Sequence, residues 1–141
     1  MERYVAFDIG DKRIGVAVSD PFNTYALPSF TYFRKGFSED VDAVAKIAAE
    51  KGATLIVCGL PVNFDGTEAV QTEKTRVFIE RLKAKTAIPV VCEDERFTTQ
   101  MAHETLIFEG MRREKRKNYV DSLAAANILD GYLRRINKKG V

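Results

Sequence analysis

Apolar positions follow two rhythms along this chain. From 3 to 9 and from 14 to 19, β-favouring apolar residues form two short runs. Gly10-Asp11-Lys12-Arg13 separates them, a stretch suited to a hairpin turn. Asp20-Pro21-Phe22-Asn23 reads as a second turn. Residues 25 to 33 read as a third strand, with Pro28 marking an edge or a bulge because it cannot donate to a ladder. These runs predict an antiparallel meander.

After Gly36 the period lengthens. Ser38 is placed to cap a helix whose first turn carries Glu39 and Asp40. Val41, Val44, Ala45 and Ala48 then recur at helical spacing, and Gly52 is a natural stop. Leu55-Ile56-Val57-Cys58 and residues 88–92 are continuous apolar runs of strand length. Between them the spacing predicts a helix over 68–85, with Val70, Val77, Phe78 and Leu82 on one face. Thr98 or Thr99 caps a further helix that ends before Gly110. A basic loop follows, and a last helix over 121–136 turns Leu123, Ala124, Ile128, Tyr132 and Ile136 inward. The order βββ-α-β-α-β-α-α predicts an α/β fold: a mixed five-stranded sheet, its meander antiparallel and its later strands parallel through right-handed crossovers, flanked by helices.

Composition narrows the class. The 141 residues, 45% hydrophobic and 30% charged, suit one domain over 1–141 with a real core. No apolar run is long enough to span a bilayer and the N-terminus lacks a signal-peptide layout, so no membrane partner and a cytoplasmic location are expected. Cys58 and Cys92 form no Cys-x-x-Cys pair and read as reduced core thiols. The net charge of +2 hides an asymmetry: seven basic against ten acidic residues up to position 70, fifteen against ten beyond it. Much of the excess lies in Arg112, Arg113, Lys115, Arg116 and Lys117 and again in residues 134–139. Such clusters suit a polyanion, as they also suit a solvated surface.

Carboxylates stand at three places where a purely structural sequence does not need them. Asp8 sits mid-strand between Phe7 and Ile9, where an unpaired charge is costly. Glu93-Asp94-Glu95-Arg96 follows an apolar strand directly; side chains alternate, so Glu93 and Glu95 point one way and Asp94 the other. Asp121 opens the last helix. Hard divalent cations such as Mg²⁺ take oxygen ligands from one or two carboxylates plus waters and phosphates, and paired ions promote phosphodiester hydrolysis. Each acid also has a plain alternative: an ion pair of Asp8 with Arg13 or Arg96, a solvated strand end, a helix N-cap at Asp121. Arg13 and Arg96 have the forked geometry that holds a phosphate or orients an acid. Thr98 and Thr99 suit a phosphate or a cap. Asn63, in the Gly59–Gly66 loop leaving a parallel strand, suits substrate contact or a turn. The run from Arg112 to Lys117 suits sequence-independent phosphate affinity. His103 has no partner signature, and there is no ribonucleoprotein-type aromatic motif.

Four motifs in order, Asp8-Ile9-Gly10 with Arg13-Ile14-Gly15-Val16-Ala17-Val18-Ser19-Asp20, Gly59-Leu60-Pro61 with Asp65-Gly66, Asp94-Glu95-Arg96-Phe97-Thr98-Thr99, and Asp121-Ser122 with Ala124-Ala125 and Ile128-Leu129, resemble the YqgF/RuvX family of pre-16S rRNA nucleases, also described as Holliday-junction-resolvase-like. The resemblance spans nearly the whole chain. It implies an RNase H-like fold, Mg²⁺- or Mn²⁺-dependent phosphodiester hydrolysis, and trimming of the 16S rRNA precursor 5′ end in the bacterial cytoplasm. It maps the catalytic, metal-holding acids onto Asp8, Glu95 and Asp121, with Glu93 and Asp94 in reserve. True junction resolvases place a further acid one helical turn after the last aspartate; here that region is Leu123-Ala124-Ala125-Ala126. A rRNA precursor is therefore the expected partner, with structured DNA as the alternative, and a monomer or weak homodimer the default. Two rival classes stand beside it. A nucleotide-binding module related to the actin and sugar-kinase ATPases needs a second domain that 141 residues do not supply, and a catalytically silent RNA-binding assembly factor needs only the fold.

Overall fold

The computed structural model describes residues 2–60, 70–94 and 113–139. Three strands open the chain: β1 (Tyr4–Ile9), β2 (Arg13–Ser19) and β3 (Ala26–Phe33). Then come α1 (Phe37–Glu50), β4 (Leu55–Leu60), α2 (Val70–Lys85), β5 (Val90–Asp94) and α3 (Arg113–Lys139). The sheet order is β3-β2-β1-β4-β5, the first two pairings antiparallel and the last two parallel. The expected mixed five-stranded sheet is the observed one. The helix expected between Thr98 and Gly110 lies outside the described residues, as does His103.

Alternation along β1 sends Val5, Phe7 and Ile9 to one face and Tyr4, Ala6 and Asp8 to the other. The first set joins Ile14, Val16, Ile56, Cys58, Val41, Val44, Phe78, Ile79 and Leu82 under α1 and α2. On the second face Tyr4, Ala6 and Val57 pack against Ile128, Leu129 and Leu133 of α3, and Ala17 packs against Ala125 and Ala126. Small residues on both sides of that last contact let the helix lie close to β2.

Several local expectations are refined. Pro28 is on an edge strand and also beside a bulge: Val16 faces Phe30 and Ala17 faces Pro28, leaving Ser29 as the extra residue. Gly36, not Ser38, is the N-cap of α1, with no side-chain cap of its own. Asp40 does that work from inside the helix, accepting the Lys35 and Gly36 amides at 2.8 and 3.3 Å, the Arg34 Nε–H at 2.7 Å and the Tyr32 hydroxyl at 3.1 Å. Burial pushes this carboxyl up, but the four donors outweigh it and hold its pKa below the ordinary aspartate value. Val77 is 55% exposed, and Ile79 takes its place in the core. The stripe of α3 centres on Ala125, Leu129 and Leu133, with Leu123, Tyr132 and Ile136 at its margins. Cys58 is buried as expected, but its neighbour in register, Cys92, is exposed, because β5 is the other edge of the sheet. No helix among the described residues is long and apolar enough to cross a membrane.

Candidate nuclease site at the end of the sheet

The largest correction concerns the N-terminal end of α3. The run expected as a loop before Asp121 is helical from Arg113, so Arg113, Lys115, Arg116 and Lys117 belong to two helical turns and Asp121 lies well inside α3. Asp121 is therefore not an N-cap. At 1.5 Å per residue the helix extends roughly 12 Å beyond Asp121, and it carries most of the basic run to the end of the sheet where β1, β4 and β5 finish. Arg112 lies outside the described residues.

Asp8 pairs in register with Gly15 of β2, so the two positions share the α3 face. A Cβ on Gly15 would stand 1.8 Å from the Asp121 carbonyl oxygen and 2.3 Å from its carbonyl carbon. The missing side chain is thus the contact that seats Asp121 over β2, one strand from Asp8. Continuing the β1–β4 register past Phe7 and Cys58 brings Gly59 level with Asp8 on its other side, and Gly59 is itself in register with Glu93. Asp8 is consequently flanked by glycine on both neighbouring strands, which leaves it half-buried rather than packed over. Such glycines inside apolar strands signal close approach of another chain segment. The sequence carries that signal at Gly15, within the apolar run 14–19.

Arg13 completes the described part of the site. Its Nε–H donates to Asp121 Oδ2 at 2.7 Å, joining residues 108 positions apart. The two side chains are 33% and 21% exposed; a pair this accessible is worth less than about 1 kcal/mol. The bond matters for aim rather than stability. It fixes the Asp121 carboxylate and holds the guanidinium on the acid-bearing face.

The reserve acids separate. Asp94 lies on the α1/α2 face by alternation, away from Asp8. Glu93 is on the α3 face, ion-paired with Arg135. Burial pushes the Glu93 carboxyl up, with Asp94 adding to the rise and Arg135 opposing it. Glu95, Arg96, Thr98, Thr99 and Asn63 lie outside the described residues. Among the described residues, no three His, Cys, Asp or Glu side chains are grouped closely enough to hold a metal ion. Asp8 and Asp121 bring two hard-oxygen donors to one face, which fits Mg²⁺ or Mn²⁺; such ions accept one or two protein carboxylates and complete their shell with water and phosphate.

Other proteins share this architecture. Thermus thermophilus RuvC, solved with a Holliday junction substrate, superposes with a TM-score of 0.60 at 11% identity, covering 97% of each chain. The fowlpox virus resolvase, solved with Holliday junction DNA, gives 0.59 at 11% identity, over 95% of this chain and 98% of that one. The fold is thus that of the RuvC-like, RNase H-fold resolvases. The family model described as "RuvX: Holliday junction resolvase" matches residues 2–135, and the chain belongs to that family. A Clostridium novyi relative is 44% identical over 134 residues, 95% of this chain and 99% of its own; one from Clostridium kluyveri is 40% identical over 136 residues, 96% and 99%. Both carry the name "Putative pre-16S rRNA nuclease".

Proposed function

We propose that this protein is a divalent-metal-dependent nuclease that hydrolyses phosphodiester bonds of RNA, acting on the 5′ end of the 16S rRNA precursor. The observation that carries the reading is the seating of Asp121 on Gly15, which brings two sequence-distant carboxylates, Asp8 and Asp121, and the Arg13 guanidinium to one end of one sheet face. Family membership and the names of full-length relatives support it.

Asp8, Asp121 and Glu95 would hold Mg²⁺ or Mn²⁺, with Glu93 in reserve. The ion supplies Lewis acidity for attack on a phosphate. The chain's own residues do the rest. Arg13 keeps Asp121 in one orientation and offers a delocalised cation beside the acids, suited to a phosphate oxygen. Arg96, Thr98 and Asn63 are proposed to contact the backbone of the substrate. Arg112, Arg113, Lys115, Arg116 and Lys117 would supply salt-sensitive affinity along it.

Cleavage of branched DNA is the second reading, favoured by the family's description. Against it, the region one helical turn past Asp121 is Leu123-Ala124-Ala125-Ala126, with Ala125 fully buried against Ala17, so no carboxylate enters the site from there.

The test is cleavage of end-labelled single-stranded RNA carrying the precursor leader, beside a four-way DNA junction, in Mg²⁺, in Mn²⁺ and in EDTA, for the parent and Asp8→Asn. Metal-dependent cutting of the RNA, lost in Asp8→Asn, is expected. Full activity of Asp8→Asn, or cutting that persists in EDTA, would remove the acids from the chemistry.

A further inference from the structure

Phe33 ends β3 in register with Arg13, so its ring lies on the same sheet face as Arg13, Gly15 and Asp8. Neighbouring side chains agree with this placement: Tyr32 packs into the core under α1 and α2, and Arg34 turns the same way to Asp40 and the Phe78 ring, leaving residue 33 between them to the other face. Phe33 is 55% exposed. Among the described residues, two other exposed aromatics of β3 and α1 are occupied. Lys51 sits over Phe30, and Phe37 meets Phe78 edge to face with Arg81 above it. Among the described residues Phe33 has no ring or cation partner. It also borders an open recess of about 480 Å³ that turns round this end of the sheet toward α1, with Lys12 and Lys35 in the walls beside Arg34, Gly36 and Phe37. Asp11 and Asp40 line it too, but Asp40 is neutralised by Arg34.

An exposed ring on the face that carries the acids, with cations round the adjoining end of the sheet, is an arrangement suited to single-stranded nucleic acid: bases stack on aromatic side chains while basic groups follow the backbone. We infer that Phe33 is a stacking platform for an unpaired base next to the scissile phosphate, with Lys12 and Lys35 taking the phosphates that lead away from Arg13. The inference rests on the nuclease reading for the position of the scissile bond, and it adds a preference for an unpaired flank.

The chain contains no tryptophan, so Phe33→Trp installs a single fluorophore whose emission a stacked base quenches. In an Asp8→Asn background the RNA stays uncut. Saturable quenching is expected with a single-stranded 12-nucleotide RNA and not with a blunt duplex of the same length. Phe22→Trp, at an 85% exposed turn position after β2, should stay bright. Labelled-RNA anisotropy should show Phe33→Ala binding the single strand roughly tenfold more weakly than the parent, with Phe33→Tyr restoring affinity and Phe33→Leu failing to. RNA binding without quenching at position 33, equal quenching by blunt duplex, or full affinity in Phe33→Leu each overturns the inference. Quenching by RNA that the parent never cuts would sustain the platform and sink the nuclease; cutting without quenching does the reverse. No RNA binding at all sinks both.

Discussion

Replacing Gly15 with alanine tests the docking contact on which the candidate site depends. The new Cβ would stand 1.8 Å from the Asp121 carbonyl oxygen and 3.0 Å from the Ser122 amide nitrogen. Real Cβ atoms essentially never come closer than 3.0 Å to a neighbour, so α3 must retreat from β2 by about 1.2 Å at this point. The obstructing atoms are main chain in mid-helix and cannot rotate away. Overpacking of this kind costs about 1–3 kcal/mol. Alanine returns at most about 1 kcal/mol by restricting the unfolded chain, so the steric cost wins and the variant should melt several degrees lower. The same shift stretches the 2.7 Å Arg13–Asp121 bond past hydrogen-bonding range and moves one carboxylate relative to Asp8. On the proposed nuclease reading, a displacement of about 1 Å in such a group lowers rates by up to roughly 10²-fold. Gly131→Ala is the matched control: it lies in the same helix, its Cβ meets nothing within 4 Å, and it should stabilise by about 0.5–1 kcal/mol with cleavage intact. Thermal melts and metal-dependent cleavage of the leader RNA, run on both variants, decide the matter. A Gly15→Ala protein as stable and as active as the parent would refute the claim that helix docking on this glycine builds the site.

Two further outcomes follow from the described structure. Asp40 has a folded pKa below its unfolded value, so it contributes stability above about pH 4 that is lost as pH falls through the lower folded value; Asp40→Asn should cost about 3 kcal/mol at neutral pH and flatten the acid limb of a melting-temperature profile, and an unchanged limb would show that the cluster is not coupled to folding. Aromatic-disulfide titration of the native protein should count one accessible thiol, Cys92, while buried Cys58, whose thiol is pushed up by burial, reacts only on unfolding; two fast thiols would mean that the β4–β5 edge opens readily.

The residue order was enough for the strand meander, the later βα alternation and the sheet they form, because these follow from local periods: two residues for strands, 3.6 for helices, with Gly10-Asp11-Lys12-Arg13 and Asp20-Pro21-Phe22-Asn23 between them. It also marked Asp8 and Asp121 as carboxylates needing an explanation. It misplaced the start of α3, since charged residues such as Arg113 to Lys117 are good helix formers whose pattern without apolar positions looks the same in a loop. It put Val77 in the core and Cys92 with it, because periodicity does not say how far a neighbouring helix or strand reaches over a face. Which acids share a face, which arginine aims Asp121, and which of the exposed rings looks onto the acids depend on register between strands and on one helix lying against Gly15. Those are contacts between segments up to 108 positions apart. No local pattern encodes them; they exist only when the sheet closes and α3 packs across it.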